Sequence, residues 1–300
     1  MTVSEVPFVA PLTLGQKEDW EVCRKHYESE GKLTRVEALE DEVIERFIFG
    51  SAFVKNPEKR RLRIIQTLDD YIQWADKINI GTVLLRQYSL AGKFRETLWP
   101  LKYFGKTDNG HAVFLLRLKE CKLKKAASLF PSALLLEYIT CTMEIMLHTL
   151  KSWKCNCRSI IIFDCMGMSM TDYYTAYKAG LSTILSLLGE YYPETLHKFY
   201  AINAPSIFAW CYGVMKPFIQ PDTVRKINII RNRKTALSSL KAIGVDLQRL
   251  PQDIFDDGVN SYDYLVSDEV IQLLENEEGT SRLSDILESI KTRQVTHRRG

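Results

Sequence analysis

Residues 191–227 constrain this chain more than any other stretch. They read Tyr191-Tyr192-Pro193-Glu194, an alternating run at 198–202, and then Asn203-Ala204-Pro205. Next comes a segment, 206–220, in which Lys216 is the single charge, and the block closes on Pro221-Asp222-Thr223-Val224-Arg225-Lys226-Ile227. The order is a turn, a short strand, an almost wholly apolar helix, and a polar helix start carrying a lysine. A helix that is apolar all round must be covered, because each Å² of apolar surface left in water costs about 25 cal/mol. The cover can be the core, a partner or a membrane.

The totals narrow the choice. A chain of 300 residues holds one large domain or two modest ones, and a hydrophobic share of 46% supplies a sizeable core. A formal charge of +3 is too small to argue for nucleic acid. Seven cysteines, an odd number, suggest reduced thiols. The start shows no basic and then apolar leader, and residues 133–150 are interrupted by Glu137, Glu144 and His148, against a membrane span. The expectation is a cytoplasmic protein.

Along the chain, the first 80 residues have helical spacing. Leu39, Val43, Ile44, Phe47 and Ile48 form one stripe, and Asn56-Pro57 is a helix start with Asn56 as cap. The helix it opens is expected to run to Gly81. Lys59, Arg60, Arg61 and Arg63 crowd its first turns, where cations are disfavoured, so the spacing suggests a solvated face or a surface for an anionic partner. After Trp99-Pro100 the pattern changes. Strands are predicted at 111–118, 159–163, 198–202 and 226–230, with helices at about 131–151, 171–189, 206–219 and 235–243. Short strands alternating with helices imply α/β architecture with a mainly parallel sheet. The division expected is a helical N-terminal lobe over 1–90, an α/β domain over 91–262 and a helical C-terminal tail over 263–300.

Few motifs suggest catalysis. Gly167-Met168-Ser169-Met170-Thr171 follows a strand and precedes a helix, as a nucleophile elbow does, but the second glycine is Thr171 and the later histidines, His197 and His297, lack an evident aspartate. A strand-to-helix turn is the plainer reading. Cys155-Asn156-Cys157 lacks a second ligand pair, so no metal is expected, and no phosphate-cradling glycine loop is present. The patches Lys122-Lys124-Lys125 and Arg231-Arg233-Lys234 lack interleaved aromatics, which fits solvated faces or an anionic membrane better than nucleic acid.

The motif order is more specific. Tyr-Tyr-Pro-Glu, then Asn-Ala-Pro, Lys-Pro-Phe and Pro-Asp-Thr-Val-x-Lys-Ile resembles the CRAL-TRIO lipid-binding family, most closely its cytosolic phosphatidylinositol/phosphatidylcholine transfer proteins. The resemblance extends to Ile161-Ile162-Phe163-Asp164-x-x-Gly167-x-Ser169, to Tyr103-Phe104-Gly105-Lys106-Thr107-Asp108-x-Gly110-x-x-Val113, and to Glu45-Arg46-Phe47. It implies a non-enzymatic carrier without cofactor, whose CRAL-TRIO sheet floors an apolar pocket. Residues 206–219 stand in the place of a gating helix, with Ile207, Phe208, Trp210, Tyr212, Met215 and Phe218 as gate and pocket wall. Thr223, Lys226 and Glu194 match positions that hold a phosphoinositol headgroup, and Tyr103 and Ser159 are candidate contacts for a second lipid. The partners implied are a phospholipid, phosphatidylinositol first, and a membrane touched transiently. A lipid tail exposed to water costs about 0.8 kcal/mol per CH₂, roughly 20 kcal/mol for two tails, so exchange at a membrane is the natural activity.

Three departures qualify that picture. The family's Arg-x-Arg-Lys-Phe is Phe49-Gly50-Ser51-Ala52-Phe53 here, without its cations. The Ser-x-Thr before the aspartate has become Ser159-Ile160-Ile161, which removes a hydroxyl from the choline-lipid side. The Leu-Pro-x-x-aromatic-Gly-Gly element is loosened at 250–258. A lipid-sensing scaffold without transfer activity, or a carrier of a sterol or isoprenoid, are the other readings.

Overall fold

The computed structural model describes residues 7–167, 169, 171, 181–251, 263–276 and 282–297. Its N-terminal lobe is helical: Leu14–Ser29, Leu33–Glu37, Asp41–Gly50 and Pro57–Ile78. The Thr13 side chain caps the first helix in a box with Gln16, and Asn56 accepts the Lys59 N–H at 3.0 Å with Pro57 in the first turn. The long helix stops at Ile78 rather than Gly81, because Asn79 takes a left-handed conformation (φ 50°) and residues Ile80–Leu85 continue as a 3₁₀ turn. Cys23, Tyr27, Val36, Phe47, Ile48, Ile64 and Leu68 fill the lobe's core.

The crowded cations of the long helix are only partly a solvated face. Arg60 and Arg61 grip Asp19 at 2.5 and 2.9 Å, and Asp19 is 1% exposed, so the two arginines neutralise a buried carboxylate. Arg63 lies 5.0 Å from the Phe53 ring centroid.

Six strands form one sheet in the order β5-β4-β3-β2-β1-β6. They are β1 (Lys102–Lys106), β2 (His111–Arg117), β3 (Asn156–Asp164), β4 (Leu196–Ile202), β5 (Ile227–Ile229) and β6 (Asp263–Tyr264). Strands β2 to β5 run parallel, while β1 pairs antiparallel with β2 and with β6. The sequence pattern anticipates β2 to β5 but not the other two. Gly105 at φ +92° and a register shift between Tyr103 and Lys106 break the alternation of β1, and β6 is two residues long.

One face of the sheet is closed. Val113, Leu115, Ile160, Ile162, Tyr200 and Ile202 pack against Ala236 and Leu240 of helix Arg233–Ala242. On the other face, Ala112, Phe114 and Leu116 of β2 join the main core with helix Ser132–Ser152. That helix is long and apolar enough to cross a membrane by length and composition, but 61% of its apolar window is buried inside the protein.

The described residues after 262 pack into the same core. Beyond β6, helices Asp268–Glu275 and Arg282–His297 place Val270, Ile286 and Ile290 in the main core. The Trp153 indole N–H donates to the Ile290 carbonyl at 3.1 Å, and Arg282 donates to the Leu85 carbonyl at 3.0 Å. The fully buried Ile290 gives a test. Ile290→Ala should cost about 2–5 kcal/mol in urea unfolding; a loss below about 0.5 kcal/mol, as at a surface position, would show this helix to be peripheral.

Candidate functional site

The amino ends of the parallel strands gather charge. Glu194 sits in the turn before β4 with left-handed backbone (φ 59°), and its side chain is 8% exposed. One carboxylate oxygen is 2.6 Å from Arg158 Nη2, at the start of β3, and the other accepts from Lys226 Nζ at 2.9 Å. Lys226, the last residue of helix Pro221–Lys226, also meets Asp222 one turn back at 3.1 Å. Thr223 is half-buried on the same short helix, and among the described residues its hydroxyl has no hydrogen-bond partner. The structure thus brings Glu194 and Lys226 into contact at one edge of the sheet, with Thr223 three residues before Lys226 on the same short helix.

Arg158 is the site residue that sequence reasoning missed. Its guanidinium lies 5.4 Å from the Phe49 ring centroid, on the element where the expected N-terminal cations are lacking. The available signal was a charged residue opening an otherwise apolar strand, directly before Ser159.

Two histidines complete this edge. The rings of His111 and His197 stack at 3.9 Å and 14°, and His111 Nδ1 is 2.9 Å from the Arg158 carbonyl. Burial, with His111, Lys198, Arg158 and Lys226 adding to it, pushes His197 down from 6.5 to about 4. Burial also lowers His111.

The N-terminal lobe braces the turn. Trp74 stacks on Tyr191 at 4.3 Å with 3° between planes. The Tyr192 hydroxyl donates to Glu144 at 2.7 Å, and burial holds the Glu144 carboxyl above its usual range. A Cβ added at Gly50 would stand 3.2 Å from Pro193 Cβ, so the helix end and the turn meet closely there.

Beyond the charges runs an apolar floor. Ile161 and Phe163 of β3, Phe199 of β4, and Ile227 and Ile229 of β5 share a face by register, and all five are half-buried. Helix Ser206–Met215 crosses this side. Cys211 and Met215 are buried, and Phe208 and Tyr212 half-buried, so positions 208, 211, 212 and 215 face inward at helical spacing. Phe208 stands 6.4 Å from Phe163. Trp210, 57% exposed, and Val214 face outward. The side chains of Ile207 and Phe218 lie outside the described residues. The expected helix 206–219 is α-helical to Met215 and 3₁₀ over Lys216–Phe218, where Pro217 withholds an N–H.

At the carboxyl ends of the strands, fully buried Asp164 meets Arg117 at 3.3 Å and accepts from Asn203 Nδ2 at 2.9 Å and the Met166 N–H at 3.1 Å. Asn203 is left-handed (φ 51°), and this tie fixes the chain to β3 just before the apolar helix begins.

Ser159 and Tyr103 are not part of the Glu194 group. The Ser159 hydroxyl donates to the Thr195 carbonyl at 3.1 Å in a fully buried setting, and Tyr103 packs against Trp153 at 4.4 Å and Phe114 at 5.7 Å. Ser169 is exposed beyond the carboxyl end of β3, whereas His197 stands at the amino end of β4, so the two occupy opposite edges of the sheet. Cys155 and Cys157 are buried free thiols, and among the described residues no group of three or more potential metal ligands is found.

These features define an α/β domain with a half-buried apolar sheet face beneath helix Ser206–Met215 and a cluster of charges at the strands' amino ends. The CRAL/TRIO domain profile matches residues 99–251, just over half of the chain, and the chain belongs to that family. The Sec14 cytosolic factor of Schizosaccharomyces pombe is 26% identical over 235 residues, 74% of each chain. The phosphatidylinositol/phosphatidylcholine transfer protein SFH4 of Arabidopsis thaliana is 24% identical over 196 residues, 63% of this chain and 31% of that one. The phosphatidylinositol transfer protein SFH5 of Candida glabrata is 28% identical over 100 residues, 33% of this chain and 32% of that one. The crystal structure of Sfh5 superposes with a TM-score of 0.59 at 17% identity, covering 96% of this chain and 99% of that one, a likeness of fold.

The histidine pair predicts an acid limb in stability. Folding keeps His197 neutral while the unfolded chain protonates near 6.5, so stability is full above about 6.5, declines as pH falls toward about 4, and levels off below. His197→Phe keeps a ring against His111 but cannot charge, and should flatten the fall of the urea midpoint across that window. An unchanged slope would show that other groups carry it.

Proposed function

We propose that the protein binds a phospholipid over the β3–β5 floor and exchanges it between membranes, with phosphatidylinositol the favoured ligand. The observation that carries this reading is the row of half-buried Ile161, Phe163, Phe199, Ile227 and Ile229, which ends at the cations that flank Glu194. A two-tailed amphiphile matches it, with tails along the floor and a phosphate at the amino ends of the strands. Membership of the CRAL/TRIO family supports the reading, as do relatives named for phosphatidylinositol transfer.

Glu194, Thr223 and Lys226 carry headgroup choice: the ammonium meets phosphate, the hydroxyl donates to it, and the carboxylate orients the lysine and accepts from an inositol hydroxyl. Helix Ser206–Met215 is the wall that moves. Its inward face covers the tails, and exposed Trp210 and Val214 suit the membrane interface, where an amphipathic aromatic ring is favourable. The membrane contact is peripheral and transient, and the cytoplasm is the working compartment, in keeping with a relative called a cytosolic factor.

The test is lipid transfer between vesicles. A hydrogen bond to a charged group contributes about 1.5–3 kcal/mol. Lys226→Ala should therefore lower phosphatidylinositol transfer about ten- to a hundredfold while sparing a second lipid far more. Equal loss for both lipids would make Lys226 a structural residue and count against this reading.

A further inference from the structure

We infer that Arg158 is the second cation of the headgroup site and that, with Lys226, it clamps the phosphate of the lipid. This assignment rests on the lipid-carrier reading. Lys226 alone cannot make the mouth of the chamber receptive to an anion, because it already faces two carboxylates, Glu194 at 2.9 Å and Asp222 at 3.1 Å. Two negative charges against one positive would repel a phosphate. Arg158, 2.6 Å from Glu194, brings the group to neutrality. The same cationic surroundings disfavour a charge on His197.

The geometry also suits the role. Arg158 engages Glu194 through Nη2, and among the described residues its Nη1 and Nε take no partner, which leaves the rest of a planar fork open. The side chain is 30% exposed, so the fork is reachable. Phe49 lies 5.4 Å away and sets the plane of the guanidinium by a cation–π contact. A guanidinium held flat, with free N–H groups, matches two phosphate oxygens at once, where an ammonium offers a point charge. In this structure the Glu194 carboxylate bridges the two cations, Oε2 to Arg158 and Oε1 to Lys226, so it occupies the place a phosphate oxygen pair would take between them.

The experiment uses the full chain with vesicles carrying labelled phosphatidylinositol or phosphatidylcholine, and compares wild type, Arg158→Ala, Arg158→Lys and the exchange Phe49→Arg with Arg158→Phe. Arg158→Ala should reduce phosphatidylinositol transfer about tenfold more than phosphatidylcholine transfer. Arg158→Lys, which keeps the charge but loses the fork, should fall between. The exchange variant returns a guanidinium to the same contact from the other side and should recover most of the selective loss.

Equal loss for both lipids with a lowered melting temperature and no recovery would make Arg158 a structural clasp for Glu194 and overturn the assignment. Unchanged phosphatidylinositol transfer in Arg158→Ala would overturn it too. Stabilisation of wild type but not Arg158→Ala by millimolar inorganic phosphate, with lipid transfer unaffected, would assign the fork to free phosphate instead of a lipid. Wild type that moves neither lipid would refute the carrier reading itself, and the Arg158 assignment with it.

Discussion

A parallel sheet must be covered on both faces, because crossover connections lay helices on each and the strands are apolar throughout. In this protein the rule is met on one face by helix Arg233–Ala242, and on the other over β2 by the main core. Over β3 to β5 the second face is covered loosely, leaving Ile161, Phe163, Phe199, Ile227 and Ile229 half-buried beneath an apolar helix. The rest of the architecture follows from that incomplete cover. In the function proposed, an apolar guest completes the burial, and each face of the helix above the floor meets hydrocarbon at some stage of exchange.

The sheet's direction supplies the second dimension of the site. Parallel strands put all their amino ends on one edge, and there Arg158 and Lys226 converge on Glu194. A carboxylate that is 8% exposed needs compensation, and it has two cations within 3 Å. The opposite edge is tied by Asp164, which joins β2, β3 and the approach to helix Ser206–Met215 through Arg117 and Asn203. With charge at one end and the Asp164 tie at the other, the apolar middle is the stretch proposed for the tails. The N-terminal lobe serves this plan through Trp74 on Tyr191 and Gly50 against Pro193, which hold the Glu194 turn in place.

The legible parts of the molecule were those coded locally. The four parallel strands, the capped helix at Asn56 and the block from Tyr191 to Ile227 follow from spacing, turn residues and motif order. The less legible parts depend on contacts far apart in sequence. Strand β1 hides because Gly105 breaks its alternation, and β6 because two residues carry no period. Arg60 and Arg61 had no visible partner until folding placed Asp19, 41 and 42 positions away, beside them. Arg158 was invisible for the same reason: its partner Glu194 is brought to it only when β4 pairs with β3. The Ser159 hydroxyl, too, meets its partner, the Thr195 carbonyl, only once the strands are in place. Residue identity could suggest a contact, but only the fold decides what a side chain has left to offer.

The central claim is that the chamber over β3 to β5 holds a phospholipid with its phosphate at Glu194, Arg158 and Lys226. Extracting the protein as purified from eukaryotic cells and identifying the released lipids by mass spectrometry tests it most directly. The account predicts phosphatidylinositol in near-stoichiometric amount, well above its share of the cell's lipids. An extract with no phosphoinositide, holding a sterol or another uncharged lipid instead, would contradict it.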